Sequence, residues 1–151
     1  MAESLLEQLG LLGVFLAGAT PWLEAIVVIP VGMVLGLPAV WTTVLALAGN
    51  IATIVVFAAS SDRILQAMAT RREKKGKAAK EDGRLARAQR IFIRYGDVGM
   101  AIVGPLVIGT QFAAAIAVSL GVSAGRASVV QSLGAVVWGV IAAYVTYALI
   151  G

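Results

Sequence analysis

The chain has 151 residues, of which 60% are hydrophobic and only 13% charged, with a mean hydropathy of +0.92. A soluble domain carries about 25% charged residues, so too little polar surface is present to clothe a water-soluble core, and the composition is that of an integral membrane protein. Cysteine and histidine are both absent, which excludes disulfides, thiolate or imidazole metal centres and the usual neutral-pH proton shuttle.

The formal net charge of +4 is not spread along the chain. Of the 12 Lys and Arg, 11 lie between Arg63 and Arg94, and Arg126 is the other. Asp62, Glu73, Glu81, Asp82 and Asp97 lie in or beside the same stretch, leaving Glu3, Glu7 and Glu24 as the remaining acids. This is not the pattern of a nucleic-acid binder, because the rest of the chain would sit in lipid and no binding motif accompanies the basic run. The acidic start, Met1-Ala2-Glu3-Ser4, is unlike a cleaved signal peptide. The charge distribution divides a single membrane domain into a first repeat (1–61), a basic hinge (62–95) and a second repeat (96–151).

In chain order, Leu5 to Ala19 predicts a first apolar helix, stopped at Thr20-Pro21. Thr20 suits an N-cap and Pro21 a first helical residue for a second helix, Trp22 to Leu35, ended by Gly36-Leu37-Pro38. Each limb would be roughly 22 Å long, short of the ~30 Å hydrocarbon core. A pair of short helices with a break between them reads as a re-entrant hairpin. The next segment, about Ala39 to Ala59, meets the length of a full crossing.

The hinge divides in two. Arg71 to Lys80 reads as a solvated, Lys-rich linker. Arg84 to Tyr95 is helix-compatible, with Arg84, Arg87, Arg90 and Arg94 at three- and four-residue steps and Leu85, Ala88, Ile91, Phe92 and Tyr95 on the other side. Such a helix suits anionic lipid headgroups; the plainer reading is a solvated cytoplasmic face that fixes topology.

Beyond the hinge the plan repeats. Ile91 to Val103 leads to Gly104-Pro105, Leu106 to Leu120 runs to Gly121, and Ser128 to Leu149 is a second crossing. Gly13 and Gly18 precede Gly99 and Gly104 by 86 residues, and Gly36 and Gly49 precede Gly121 and Gly134 by 85, as expected of an internal duplication with a one-residue gap. If each half is a hairpin plus one crossing, the halves have opposite membrane orientation, as in secondary transporters. The fold class is then an all-α membrane protein of two inverted repeats joined by a cytoplasmic basic hinge, with both termini outside. The alternative is four full crossings with both termini inside.

Glu24 is the main candidate for chemistry. An acid in the hydrocarbon region is costly and usually faces a cavity or marks an ion or substrate path. Near the start of a short helix, desolvation and the positive helix end pull its protonation in opposite directions, which suits a group that takes up and releases protons. Its structural reading is a helix cap, or a partner for Arg126 or a hinge arginine. In the second hairpin, Pro105, Thr110 and Gln111 could line a cavity, or could satisfy the backbone of a broken helix. Asn50 and Gln131, within the crossings, suit hydrogen bonds between helices as well as a polar path. No nucleophile elbow, metal-ligand cluster or phosphate loop is present, so no enzyme, cofactor or metal is expected.

Thr20-Pro21-Trp22-Leu23-Glu24, followed by Ile29-Pro30-Val31-Gly32 and Gly36-Leu37, resembles the small multidrug export protein family, with its Pro-x-x-Glu and Pro-x-Gly elements. The wider resemblance is to DedA-like (VTT-domain) membrane proteins, whose second hairpin is similar to Arg94-Tyr95-Gly96, Pro105 and Ala113-Ala114-Ala115. The resemblance implies a bacterial inner-membrane transporter with two facing re-entrant hairpins. It sets Glu24 at the family's acid, with Thr20 and Pro21 in the same element and Pro30 in the Pro-x-Gly element that follows, and implies ion coupling and lipid-like substrates such as polyprenyl phosphates. Val103-Gly104-Pro105-Leu106-Val107-Ile108 has none of the arginines that flank the second-half proline in the DedA pattern, which speaks against a phosphate-bearing substrate.

The leading expectation is a homodimeric, proton-coupled transporter of a lipophilic or lipid-like substrate, with membrane lipids and protons or another coupling cation as partners. The alternatives are a passive lipid scramblase and a non-transporting membrane scaffold.

Overall fold

The computed structural model describes the backbone of residues 2–75 and 78–151, and the side chains of 8–64, 66, 67, 70, 71 and 86–151. The described residues form seven helices and no strand: α1 (Ala2–Ala19), α2 (Ala25–Val34), α3 (Ala39–Ala59), α4 (Ser61–Lys75), α5 (Ala78–Val107), α6 (Thr110–Ser119) and α7 (Ala124–Ile150). Among the described residues only α3 and α7, of 21 and 27 residues, are long and apolar enough to cross a membrane. At 1.5 Å per residue α3 spans about 31 Å, the thickness of a hydrocarbon core.

The distribution of side chains is that of a membrane protein. Val40, Trp41, Val44, Val55 and Val56 of α3, and Val137, Val140, Ile141, Tyr144 and Val145 of α7, are exposed. Thr42, Asn50, Gln131 and Thr146 on the same helices are buried. Water would impose the reverse order; lipid favours apolar groups outside and polar groups within.

Two compact units are present. The first comprises residues 1–53 and 134–151. Its close packing comes from small residues: a Cβ added at Gly18 would run into the Ala46 carbonyl, and one at Gly49 into the Phe15 carbonyl, so α1 and α3 touch backbone to backbone at both points. Gly139 lets the side chains of Leu47 and Ile29 pack directly onto the backbone of α7.

The turn between α1 and α2 differs from the expectation. Thr20 does not cap α2: its hydroxyl donates back to the Leu16 carbonyl at 2.8 Å and its amide to Ala17 at 3.0 Å, so it closes α1. Pro21 is not the first helical residue. The chain turns through Thr20–Leu23, with Trp22 in the left-handed region at φ 80°, and α2 begins at Ala25 with Glu24 as its N-cap residue. A non-glycine residue at positive φ costs energy and is held there only by its surroundings. The end of α2 is as expected, with Gly36 at φ 87° just past the Leu35 C-cap and the Leu37 amide donating to the Gly32 carbonyl at 3.1 Å.

The second unit comprises residues 54–133. Its core holds Ala88, Met100, Ile108, Ala113 and Ile116, with Ile91, Phe92 and Val107 against them. Phe57 and Phe112 meet edge to face at 5.3 Å. The segment read as a linker from Arg71 to Lys80 is helical where described, through Lys75 in α4 and from Ala78 in α5.

Nor does the second break fall at Gly104-Pro105. Pro105 sits in the last turn of α5, which runs on to Val107, because a missing N–H near a helix end removes only one ladder bond. The break comes at Gly109, whose φ of 91° turns the chain into α6; the amides of Ile108 and Gly109 both donate to the Gly104 carbonyl, at 2.9 and 2.8 Å. A further kink divides α5 at Gly96 (φ 73°, ψ −166°), so the helix leading to the break is 97–107 rather than Ile91 to Val103.

The layout of the two halves recurs at one spacing. Helix α6 spans Thr110–Ser119 and α2 spans Ala25–Val34; α7 begins at Ala124 and α3 at Ala39; Gly121 (φ 105°) answers Gly36. Each correspondence is 85 residues apart. Thr43 and Ser128 also match, each donating its hydroxyl to the carbonyl four residues back.

Candidate functional site

In the first unit Thr20, Pro21 and Glu24 lie at the entry to α2, Pro30 lies within that helix and Asn50 on α3. Glu24 is only 6% exposed although it sits at a helix end. Its carbonyl accepts the amides of Val27 and Val28, at 2.9 and 3.0 Å, so the helix is anchored on its backbone. Its carboxylate makes no capping hydrogen bond to that helix. Helix α2 has 10 residues, about 15 Å, half the span of a bilayer core. Pro30 lies inside it and withholds an amide from the Ile26 carbonyl. Asn50 is fully buried on α3. Thr20 is exposed and Pro21 half-buried, with the Thr20 hydroxyl already used on α1.

Beside this turn, α1 and α2 enclose a cleft of about 320 Å³ whose lining is wholly apolar, from Gly10, Gly13 and Val14 on α1 to Val27, Val28 and Val31 on α2. Leu23, next to Glu24, is also part of the lining. The cleft can take a hydrocarbon group and offers nothing to hydrogen-bond it.

In the second unit, α6 is buried from Thr110 to Ala117. Thr110 and Gln111 open it, both with no exposed surface, and the Thr110 hydroxyl lies 3.5 Å from Gln111 Oε1. Pro105 is buried in the turn before the break. The structure thus brings Pro105, Thr110 and Gln111 to one helix break, as it brings Glu24 to the matching one.

A second polar group was not anticipated as a site. Asp97, the first residue after the Gly96 kink, is 7% exposed and holds Arg126 by two contacts, Nε to Oδ2 at 2.6 Å and Nη2 to Oδ1 at 3.3 Å. The guanidinium considered as a partner for Glu24 is therefore engaged by Asp97 instead. Gln131 donates Nε2 to the Asp97 carbonyl at 3.3 Å, while its Oε1 is buried without a partner among the described residues. The same is true of Thr42 Oγ1 in the first unit. The signal for the pair was present: a lone arginine in an apolar block needs a carboxylate, and Asp97 borders that block.

On the helix before Gly96, Arg87, Arg90 and Arg94 are exposed, and the Arg94 guanidinium lies 5.4 Å from the Tyr95 ring centre. Arg84 lies on the same helix with its side chain outside the described residues. Among the described residues no group of three or more acids could hold a metal ion.

Residues 24–141 match the family described as "Putative small multi-drug export protein". No curated protein and no solved structure matches the chain. The match begins at Glu24 and takes in both short helices and most of both candidate spans.

Proposed function

The chain belongs to the family described as small multi-drug export proteins, and on that premise we propose that it is a proton-coupled transporter of the bacterial cytoplasmic membrane that moves a lipophilic or lipid-like substrate. Membership in an export family implies a transporter rather than an enzyme. The observation that carries the finer reading is Glu24: a carboxylate 6% exposed at the head of a helix half as long as the bilayer core is thick. An acid within the hydrocarbon region is costly and as a rule marks an ion or substrate path.

In this reading α1 with α2, and residues 97–107 with α6, are re-entrant hairpins, and α3 and α7 are the crossings. Each half crosses once, so the halves are inverted, the basic hinge is cytoplasmic and both termini are outside. Helices α2 and α6 support it by their shared length of 10 residues. Glu24 exchanges a proton with whichever side has access, and the substrate's hydrocarbon part takes apolar surface such as the α1–α2 cleft. Buried neutral polar groups, Asn50 in the first unit and Thr110 and Gln111 in the second, suit polar contacts within each unit. Two hairpins and two crossings enclose little volume, which favours a homodimer.

Glu24→Gln removes the titratable group and keeps its size. In proteoliposomes under an imposed proton gradient, the variant is expected to insert normally and to lose gradient-driven substrate uptake by at least about tenfold. Full uptake in the variant removes Glu24 from the mechanism. Equal lipid movement in wild type and variant, with or without a gradient, would instead identify a passive scramblase.

A further inference from the structure

The helix ahead of the Gly96 kink carries a feature that transport does not use. Arg87, Arg90 and Arg94 fall within an arc of about 60° at 3.6 residues per turn. Ala88 and Phe92, on the opposite side of the helix, are packed into the core of the second unit. The arginines are therefore fixed outward by the burial of the other face. Flanking the arc are two apolar side chains left in the open, Ile93 at 79% and Tyr95 at 59% exposure.

The charges on this face are not cancelled within the described residues. Asp97, the nearest described acid along the chain, is occupied by Arg126. Arg90 directs only its Nε to the Ala86 carbonyl, at 3.4 Å, which leaves its terminal nitrogens outward. Arg94 lies over the Tyr95 ring, which orients the guanidinium without neutralising it. Three guanidiniums beside an exposed aromatic and an exposed branched aliphatic residue, on a helix leading into a membrane domain, have the chemistry of a bilayer interface: the apolar groups enter the acyl boundary and the cations meet phosphates.

We propose that Arg87, Arg90 and Arg94, with Ile93 and Tyr95 as anchors, form a docking surface for the headgroups of anionic phospholipids. The surface holds the helix before Gly96 against the membrane and gives the protein a preference for anionic lipid at its boundary. Guanidinium suits this role because it offers a phosphate two parallel donors and is weakly hydrated.

The test uses full-length protein in phosphatidylcholine vesicles containing spin-labelled phosphatidylglycerol or spin-labelled phosphatidylcholine, and reads the motionally restricted fraction of each label. Wild type is expected to prefer phosphatidylglycerol by at least about threefold at low ionic strength, with the preference declining toward one at about 0.5 M salt. The R87Q/R90Q/R94Q variant, checked for native helicity and monodisperse elution, is expected to show no preference, and R87K/R90K/R94K to keep most of it. Inorganic phosphate at matched ionic strength should not displace the lipid, since it lacks the acyl anchor. Glu24→Gln should keep the wild-type preference, so loss of transport and loss of docking are read separately. No preference in wild type, a preference unmoved by salt, or an unchanged preference in the glutamine variant would each overturn the proposal.

Discussion

Arg126 is the only basic residue after Arg94, and its place at the start of α7 is tolerable because Asp97 lies within 2.6 Å. The carboxylate is nearly buried while the arginine side chain is 64% exposed, so water and salt screen much of the attraction. We expect Arg126→Gln to lower the melting temperature of the detergent-solubilised protein, by less than loss of a fully buried pair would, because it leaves the nearly buried Asp97 carboxylate without its cation. Adding Asp97→Asn to that variant should recover part of the loss, a coupling that a double-mutant cycle of thermal unfolding measures. Independent, additive losses would show that the pair contributes nothing. The need for a counter-ion was legible in the sequence; its identity was not, because Glu24 and Asp97 were both available and only the kink at Gly96 turns Asp97 toward α7. The partnerless oxygens of Thr42 and Gln131 had no signal in sequence either, since both residues make adequate packing groups in any helix.

Helix by helix, the ends marked by Gly36 and Gly121 agree with the sequence reading, and the breaks read at Thr20-Pro21 and Gly104-Pro105 do not. Gly36 and Gly121 end α2 and α6 as expected, whereas Pro21 precedes α2 by four residues and Pro105 lies within α5. Proline only forbids a backbone amide bond, and a helix can absorb that in a terminal turn; the reversal itself requires a positive φ, supplied by Trp22 in one half and Gly109 in the other. Gly109→Ala should therefore cost about 1–2 kcal/mol, whereas Gly125→Ala, in open space on α7, should be neutral or slightly stabilising. Chemical or thermal unfolding in detergent gives both values, and equal tolerance would count against the break as described. Gly18 and Gly49 pose a stricter demand, since a methyl group at either meets backbone that cannot move aside. Alanine at either position should cost about 2 kcal/mol or more and reduce monodisperse yield.

For the molecule as a whole, the proposed inverted arrangement makes a prediction that the absence of cysteine renders simple to test. Single cysteines at Ser4, Thr20, Lys75, Thr110 and Gly151 can be probed with an impermeant thiol reagent in intact cells and inverted vesicles. With two re-entrant hairpins and two crossings, positions 4 and 151 should label from outside and position 75 from the cytoplasm. Labelling of both termini from the cytoplasm would exclude this topology and favour four full crossings.

The sequence alone determined the solvent, the two helices long enough to cross it, the single acid in the first apolar block and the basic segment between the halves. Those properties follow from composition and run length, which lipid reads directly. The tertiary structure decided that Glu24 heads α2 from the N-cap position, that the second break falls at Gly109, that Arg126 belongs to Asp97, and which arginines face outward. Each of these depends on local φ angles and on which faces of two helices meet, and neither is encoded in the hydropathy of a segment.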